Sequence, residues 1–137
     1  MHYAKLFLNK VIDSGDASAL ARYNIDYQDM HTDIDRRIYR FIEQYAEQNG
    51  GQAPSYATVA AEIEGYEYIP DVSDSYEYLA RQIKDYSAKQ AIIDVHNSGE
   101  FERRLNEMPA TEFNNWLTNF VDDIKMRTSV RNKTGTD

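Results

Sequence analysis

The chain contains no cysteine, which removes a disulfide framework, a thiolate zinc site and a cysteine nucleophile together. Proline and glycine are scarce, at three and six, and they fall between elements rather than within them. No apolar run approaches the roughly 20 residues that cross a bilayer. The short apolar patch after Met1-His2-Tyr3-Ala4-Lys5 ends at Lys10, so no signal peptide is read and the expected location is cytoplasmic. Basic residues are outnumbered 15 to 23, giving a net charge of −8. That balance argues against a direct grip on a phosphate backbone, which needs clustered Lys and Arg. None of Gly15, Gly50, Gly51, Gly65, Gly99 or Gly135 precedes a Gly-Lys-Ser/Thr, so no phosphate loop is present. A Gly-x-Ser-x-Gly elbow and a His-Glu-x-x-His helix are missing too. These absences predict no catalytic residue, no cofactor and no metal.

What remains is one domain's worth of chain, 137 residues with 42% hydrophobic content, enough to bury a core. The periodicity is helical almost throughout, and the expected fold class is all-α: a small helical bundle followed by a C-terminal helical hairpin. Leu6, Phe7, Val11 and Ile12 mark a first helix from His2 to Asp13, stopped at Ser14-Gly15. Asp16 is placed to cap a short helix to Tyr23, and Asn24 to Met30 reads as a connecting turn. Thr32 caps a helix with Ile34, Ile38, Phe41, Ile42 and Tyr45 on one face, ended by Asn49-Gly50-Gly51. Ser55 caps a short helix carrying Val59 and Ile63, and Tyr66 to Ser73 is a long loop. A long helix from Ser73-Asp74 to about Val95 carries Tyr76, Leu79, Ile83, Tyr86 and Ile92 on one side. After Asn97-Ser98-Gly99 comes a short helix with Phe101 and Leu105, closed by Pro109. The last helix opens near Thr111 and holds Phe113, Trp116, Leu117, Phe120, Val121 and Ile124 at alternating spacings of three and four. Burying those six side chains falls short of the entropy of ordering that helix alone, so the seam needs a docking partner.

Four features invite chemistry. Asp26, Asp29, His31, Asp33 and Asp35 form a carboxylate and imidazole cluster of the kind that holds a divalent cation, or else a solvated helix start favoured by its dipole. His2, His31 and His96 lie far apart in sequence. Tyr66, Tyr68, Tyr76 and Tyr78 resemble a base-stacking platform, but Glu67, Asp71, Asp74 and Glu77 give it the wrong charge for nucleic acid. Most of the tyrosines are therefore read as core or rim residues with the hydroxyl reaching water. The end of the chain, with Lys125, Arg127, Arg131 and Lys133, is basic and reads as a solvated linker or else as a phosphate contact within a larger assembly.

The order of three segments is informative. His31-Thr-Asp-Ile-Asp-Arg-Arg-Ile-Tyr-Arg-Phe-Ile is followed by Pro54-Ser-Tyr-Ala-Thr-Val-Ala-Ala-Glu-Ile and then Tyr76-Glu-Tyr-Leu-Ala-Arg-Gln-Ile. This series resembles the N-terminal domain of DnaB-type replicative helicases, most of all the divergent phage and prophage versions. The resemblance spans about residues 5 to 130, and it rests on order and spacing. It implies a non-catalytic domain that builds a collar above an ATP-driven motor ring and docks primase or a loader protein. It also implies that Phe101, Leu105, Phe113, Trp116, Leu117 and Phe120 form the pairing surface of a helical hairpin.

The resulting expectation divides the chain into a globular subdomain at 1–97, a hairpin at 98–128 and a linker or disordered end at 129–137. Its function is subunit association, with no enzymatic activity of its own and no membrane contact. The rival reading is a small acidic phage or mobile-element protein that binds and inhibits a host DNA-binding protein.

Overall fold

A computed structural model describes residues 2–130 of the chain. Among them are seven α-helices and no β-strand, so the protein is all-α.

Helix α1, Tyr3–Ser14, buries Ala4, Phe7, Leu8, Val11 and Ile12 on a single stripe. Gly15 stops it at φ 75°, returning its N–H to the carbonyls of Ile12 and Val11. A side chain at this left-handed position would be strained, which is why the break falls on glycine. Helix α2, Ser18–Arg22, is entered through Asp16, whose Oδ1 accepts the Ser18 N–H at 2.9 Å. Hydrogen bonding from the Ser18 side chain, and then from its backbone, holds the Asp16 carboxyl below its ordinary range.

The expected turn at Asn24 to Met30 contains a single 3₁₀ turn, Tyr27–Asp29. Asp26 accepts the Gln28 N–H and Asp29 accepts the Asp26 N–H, both at 3.0 Å. Reciprocal capping of this kind satisfies backbone donors that have no helical partner. Helix α3, Asp33–Gln48, starts at Thr32, whose Oγ1 accepts the Asp35 N–H at 3.2 Å, and buries Ile38, Tyr39 and Ile42. The Gly15 corner is then pinned to the segment after α3. Ala17 N–H donates to the Gly51 carbonyl at 3.1 Å, and Ala53 N–H donates to the Gly15 carbonyl at 2.9 Å.

Helix α4, Tyr56–Glu62, is capped by Ser55 and packs Val59 inward, and both α3 and α4 lie against α1. The long loop that follows is bound to α1 by the buried amide of Asn9. Its Nδ2 donates to the Lys5 carbonyl at 2.9 Å, while its Oδ1 accepts from Tyr66 Oη at 2.6 Å and Ile69 N–H at 3.2 Å. Helix α5, Tyr76–Ser98, is capped by Ser75, whose Oγ accepts the Tyr78 N–H at 3.1 Å. Leu79, Ala80 and Ile83 of its first turns join the core made by α1, α3 and α4.

The chain forms two compact units that divide within α5, after Ile83; the first also includes Val130. The second, Lys84–Ser129, holds the rest of α5 with helices α6, Glu100–Glu107, and α7, Ala110–Arg127. The division expected from sequence, between 97 and 98, places α5 up to Asn97 with the first part.

Candidate functional site

The six residues expected to form a pairing surface all lie in the second unit, on α6 and α7. Local sequence sets these helices. Ser98 Oγ accepts the Glu100 N–H at 3.2 Å and Gly99 turns the chain at φ 72°, separating α6 from α5. Pro109 sits between α6 and α7, and its carbonyl accepts the Phe113 N–H at 3.0 Å. Proline fits just before a helix because its missing N–H has no helical partner there.

The aromatic side chains form a continuous ladder. Phe101 meets Phe113 edge-on at 5.3 Å between ring centroids and Trp116 at 6.2 Å. Phe113 and Trp116 are 5.6 Å apart, and Trp116 stacks on Phe120 at 5.7 Å with the planes 11° from parallel. Such pairs contribute about 0.5–1.5 kcal/mol each beyond the area they bury. The Arg104 guanidinium lies 5.0 Å from the centre of the Trp116 ring and is held there by Glu100, whose Oε2 accepts its Nε–H at 2.7 Å.

Yet this ladder is not an interior. No residue of α6 or α7 is fully buried. Leu105 is 53% exposed and Phe101 41%, with Val121 and Met126 similarly open. Between α5, α6 and α7 runs a groove of about 420 Å³, bordered by Ile92, Val95, Phe101, Leu117 and Phe120, with His96 and Glu102 also lining it. Its walls are mainly hydrocarbon, so the chemistry it offers is removal of apolar area from water.

Of the six expected residues, Phe101, Phe113, Trp116 and Phe120 are gathered into the ladder, and Leu117 lines the groove. Leu105 stands on the exposed side of α6. Sequence reasoning missed Ile92, Val95, His96 and Arg104. It placed Ile92 with Ile83 on one side of α5, but Ile92 is exposed. At about 100° per residue, nine positions bring a side chain to the opposite side of a helix. Helical phase was the signal that could have found it.

The carboxylate and tyrosine candidates lie in the first unit. Asp26 and Asp29 cap the 3₁₀ turn, and Asp33 pairs with Arg37 at 3.2 Å. Oδ1 of Asp35 is buried without a hydrogen-bond partner. Among the described residues no three His or carboxylate side chains are grouped to hold a metal ion.

Three tyrosine hydroxyls, expected to reach water, reach α1 instead: Tyr66 meets Asn9, Tyr68 donates to Asp13 Oδ1 at 2.8 Å, and Tyr76 donates to the Lys10 carbonyl at 3.2 Å. Burial pushes the Tyr66 hydroxyl up to about 12, and the hydrogen bond to Asp13 does the same for Tyr68. Their rings also have protein neighbours, since Tyr68 stacks on Tyr56 at 4.2 Å and Tyr76 on Tyr23 at 5.4 Å. Arg131 and Lys133, half of the basic end, lie outside the described residues, as does most of the expected linker.

Comparison with known protein families, curated proteins and solved structures returns no match. No helix among the described residues is long and apolar enough to cross a membrane.

Proposed function

We propose that the protein is a non-catalytic assembly module that associates with copies of itself through α6 and α7. The observation that carries this reading is the groove of about 420 Å³ lined by exposed Ile92 and Phe101, with Leu105 and Val121 also exposed on α6 and α7, two helices that bury nothing fully. Exposed apolar surface of this kind suits an interface, because leaving it in water forgoes the main driving force for association. The order of the segments beginning at His31, Pro54 and Tyr76 supports a more specific role. In it, the module is the N-terminal domain of a DnaB-type replicative helicase, where the same helices pair between subunits and the collar docks primase or a loader. Its cellular site is then the cytoplasm, and DNA is handled by the motor domain rather than by this acidic chain.

Salt separates this proposal from an acidic inhibitor of a host DNA-binding protein. Raising ionic strength from about 0.1 to 1 M shortens the Debye length from about 10 to 3 Å and weakens exposed ion pairs, while an apolar interface is spared. Sedimentation velocity of the full chain is expected to show self-association that survives this change. A strict monomer at both ionic strengths, binding a basic DNA-binding protein only at the lower one, would support the inhibitor instead. The helicase role has its own test in the reading frame: a Gly-x-x-x-x-Gly-Lys-Ser/Thr encoded downstream of Asp137 supports it.

A further inference from the structure

A second groove, within the first unit, has a different chemistry. It measures about 280 Å³ and lies along α3, where Arg36, Arg37 and Arg40 share its border with Tyr27, Phe41 and Ile63. Three guanidiniums along one groove stand out in a chain whose net charge is −8. Each is held differently. Arg36 donates Nε–H to the Met30 carbonyl at 3.1 Å, and Arg37 pairs with Asp33 at 3.2 Å. The Arg40 guanidinium lies 4.0 Å from the centre of the Tyr27 ring. A guanidinium held against an aromatic ring keeps its N–H groups for an acceptor, and its fork matches a carboxylate.

The charge balance narrows the ligand. Asp33 and Glu62 also line the groove, so three positive groups face two negative ones. One charge in excess suits a monoanion better than a phosphate dianion. Phe41, Ile63 and Tyr27 supply apolar surface beside it, which suits a carboxylate carried next to an apolar side chain. On the other side of Arg40 a wider cleft, about 710 Å³, is lined by Asp26, Glu43 and Glu47, so the preference for an anion is confined to the arginine side.

We propose that the groove formed by Arg36, Arg37, Arg40, Tyr27, Phe41 and Ile63 binds a peptide segment of a partner protein that carries an acidic side chain beside an apolar one. It is independent of the association surface on α6 and α7.

The test is an NMR titration of the ¹⁵N-labelled full chain with capped peptides. The probes are acetyl-Gly-Asp-Phe-Leu-amide, its Asn counterpart, acetyl-Gly-Asp-Gly-Gly-amide and inorganic phosphate. Saturable shifts confined to the amides of Tyr27 and of α3 near Arg36 and Arg40 are expected with the first probe. Binding should weaken by up to about fivefold with the Asn peptide, as loss of one exposed ionic contact implies, and by about tenfold or more with the Gly-Gly peptide, as loss of apolar contacts implies. Arg40→Gln, at an exposed position, should weaken it to the extent the Asn change does while leaving the rest of the spectrum in place. The proposal is overturned by absence of saturable shifts, by equal binding of the Asn peptide or the Gly-Gly peptide, by phosphate binding as tightly as the first peptide, or by an Arg40→Gln variant that binds unchanged.

Discussion

Asn9 is 1% exposed, and both ends of its amide have partners on the loop that follows α4. A buried amide is tolerated only when its donors and acceptor are paired, and removing it strands those partners. Asn9→Leu leaves the Tyr66 hydroxyl and the Ile69 N–H without an acceptor, and is expected to lower stability by about 3 kcal/mol in urea unfolding. Tyr66→Phe breaks only the 2.6 Å bond and should lower it by about 1 kcal/mol. The same hydroxyl gives an alkaline signature. Its proton is held more tightly in the folded chain, up to about 12 against an ordinary value of 10.0. Its stabilising contribution is therefore whole below pH 10 and is lost as pH rises through about 12. Tyr68, also raised to about 12, adds to this, so Tyr66→Phe should flatten the alkaline fall without abolishing it. Urea midpoints measured across that range check this, and equal slopes in both proteins would contradict it.

At the scale of elements, α3 shows what local sequence can specify. Its cap, acidic first turn and apolar stripe all lie within sixteen residues, and Thr32→Ala is expected to lower stability by about 1 kcal/mol, read from the urea midpoint. Gly99→Ala should cost about 1 kcal/mol, because a Cβ is placed in the left-handed conformation between α5 and α6. Ser55 and Gly15 were equally legible, since capping and left-handed turns are set by neighbours. The hold of Asn9 on Tyr66 was not, because it joins residues 57 positions apart and no periodicity reports such a pair. Nor was the arginine groove, where the first unit's fold brings Tyr27 and Ile63 to the same side of α3. Helix α5 was legible in existence but not in phase. One apolar stripe ends at Ile83 and another begins near Ile92, and reading them as one hid half of the groove.

At the scale of the whole molecule, the two units differ in kind. The first is built around fully buried Phe7, Leu8, Met30, Ile42, Leu79 and Ile83. The second leaves its large apolar side chains half-buried or exposed, and this asymmetry is the basis for assigning it to association. The aromatic seam was visible in sequence at Phe113, Trp116, Leu117 and Phe120; that it is only half-buried was not, because burial is a property of the folded chain. Trp116, the only tryptophan, provides a reporter inside the seam, and its emission is expected to move to shorter wavelength as the protein is concentrated. The most direct test is sedimentation equilibrium over a concentration series, comparing the native chain with Leu105→Glu. Leu105 is 53% exposed, so the substitution leaves the fold in place. Reversible self-association of the native chain is predicted, with a dissociation constant raised about tenfold or more by a charge placed in the interface. A native chain that stays monomeric at the highest concentration, or a variant that associates equally well, would contradict the account.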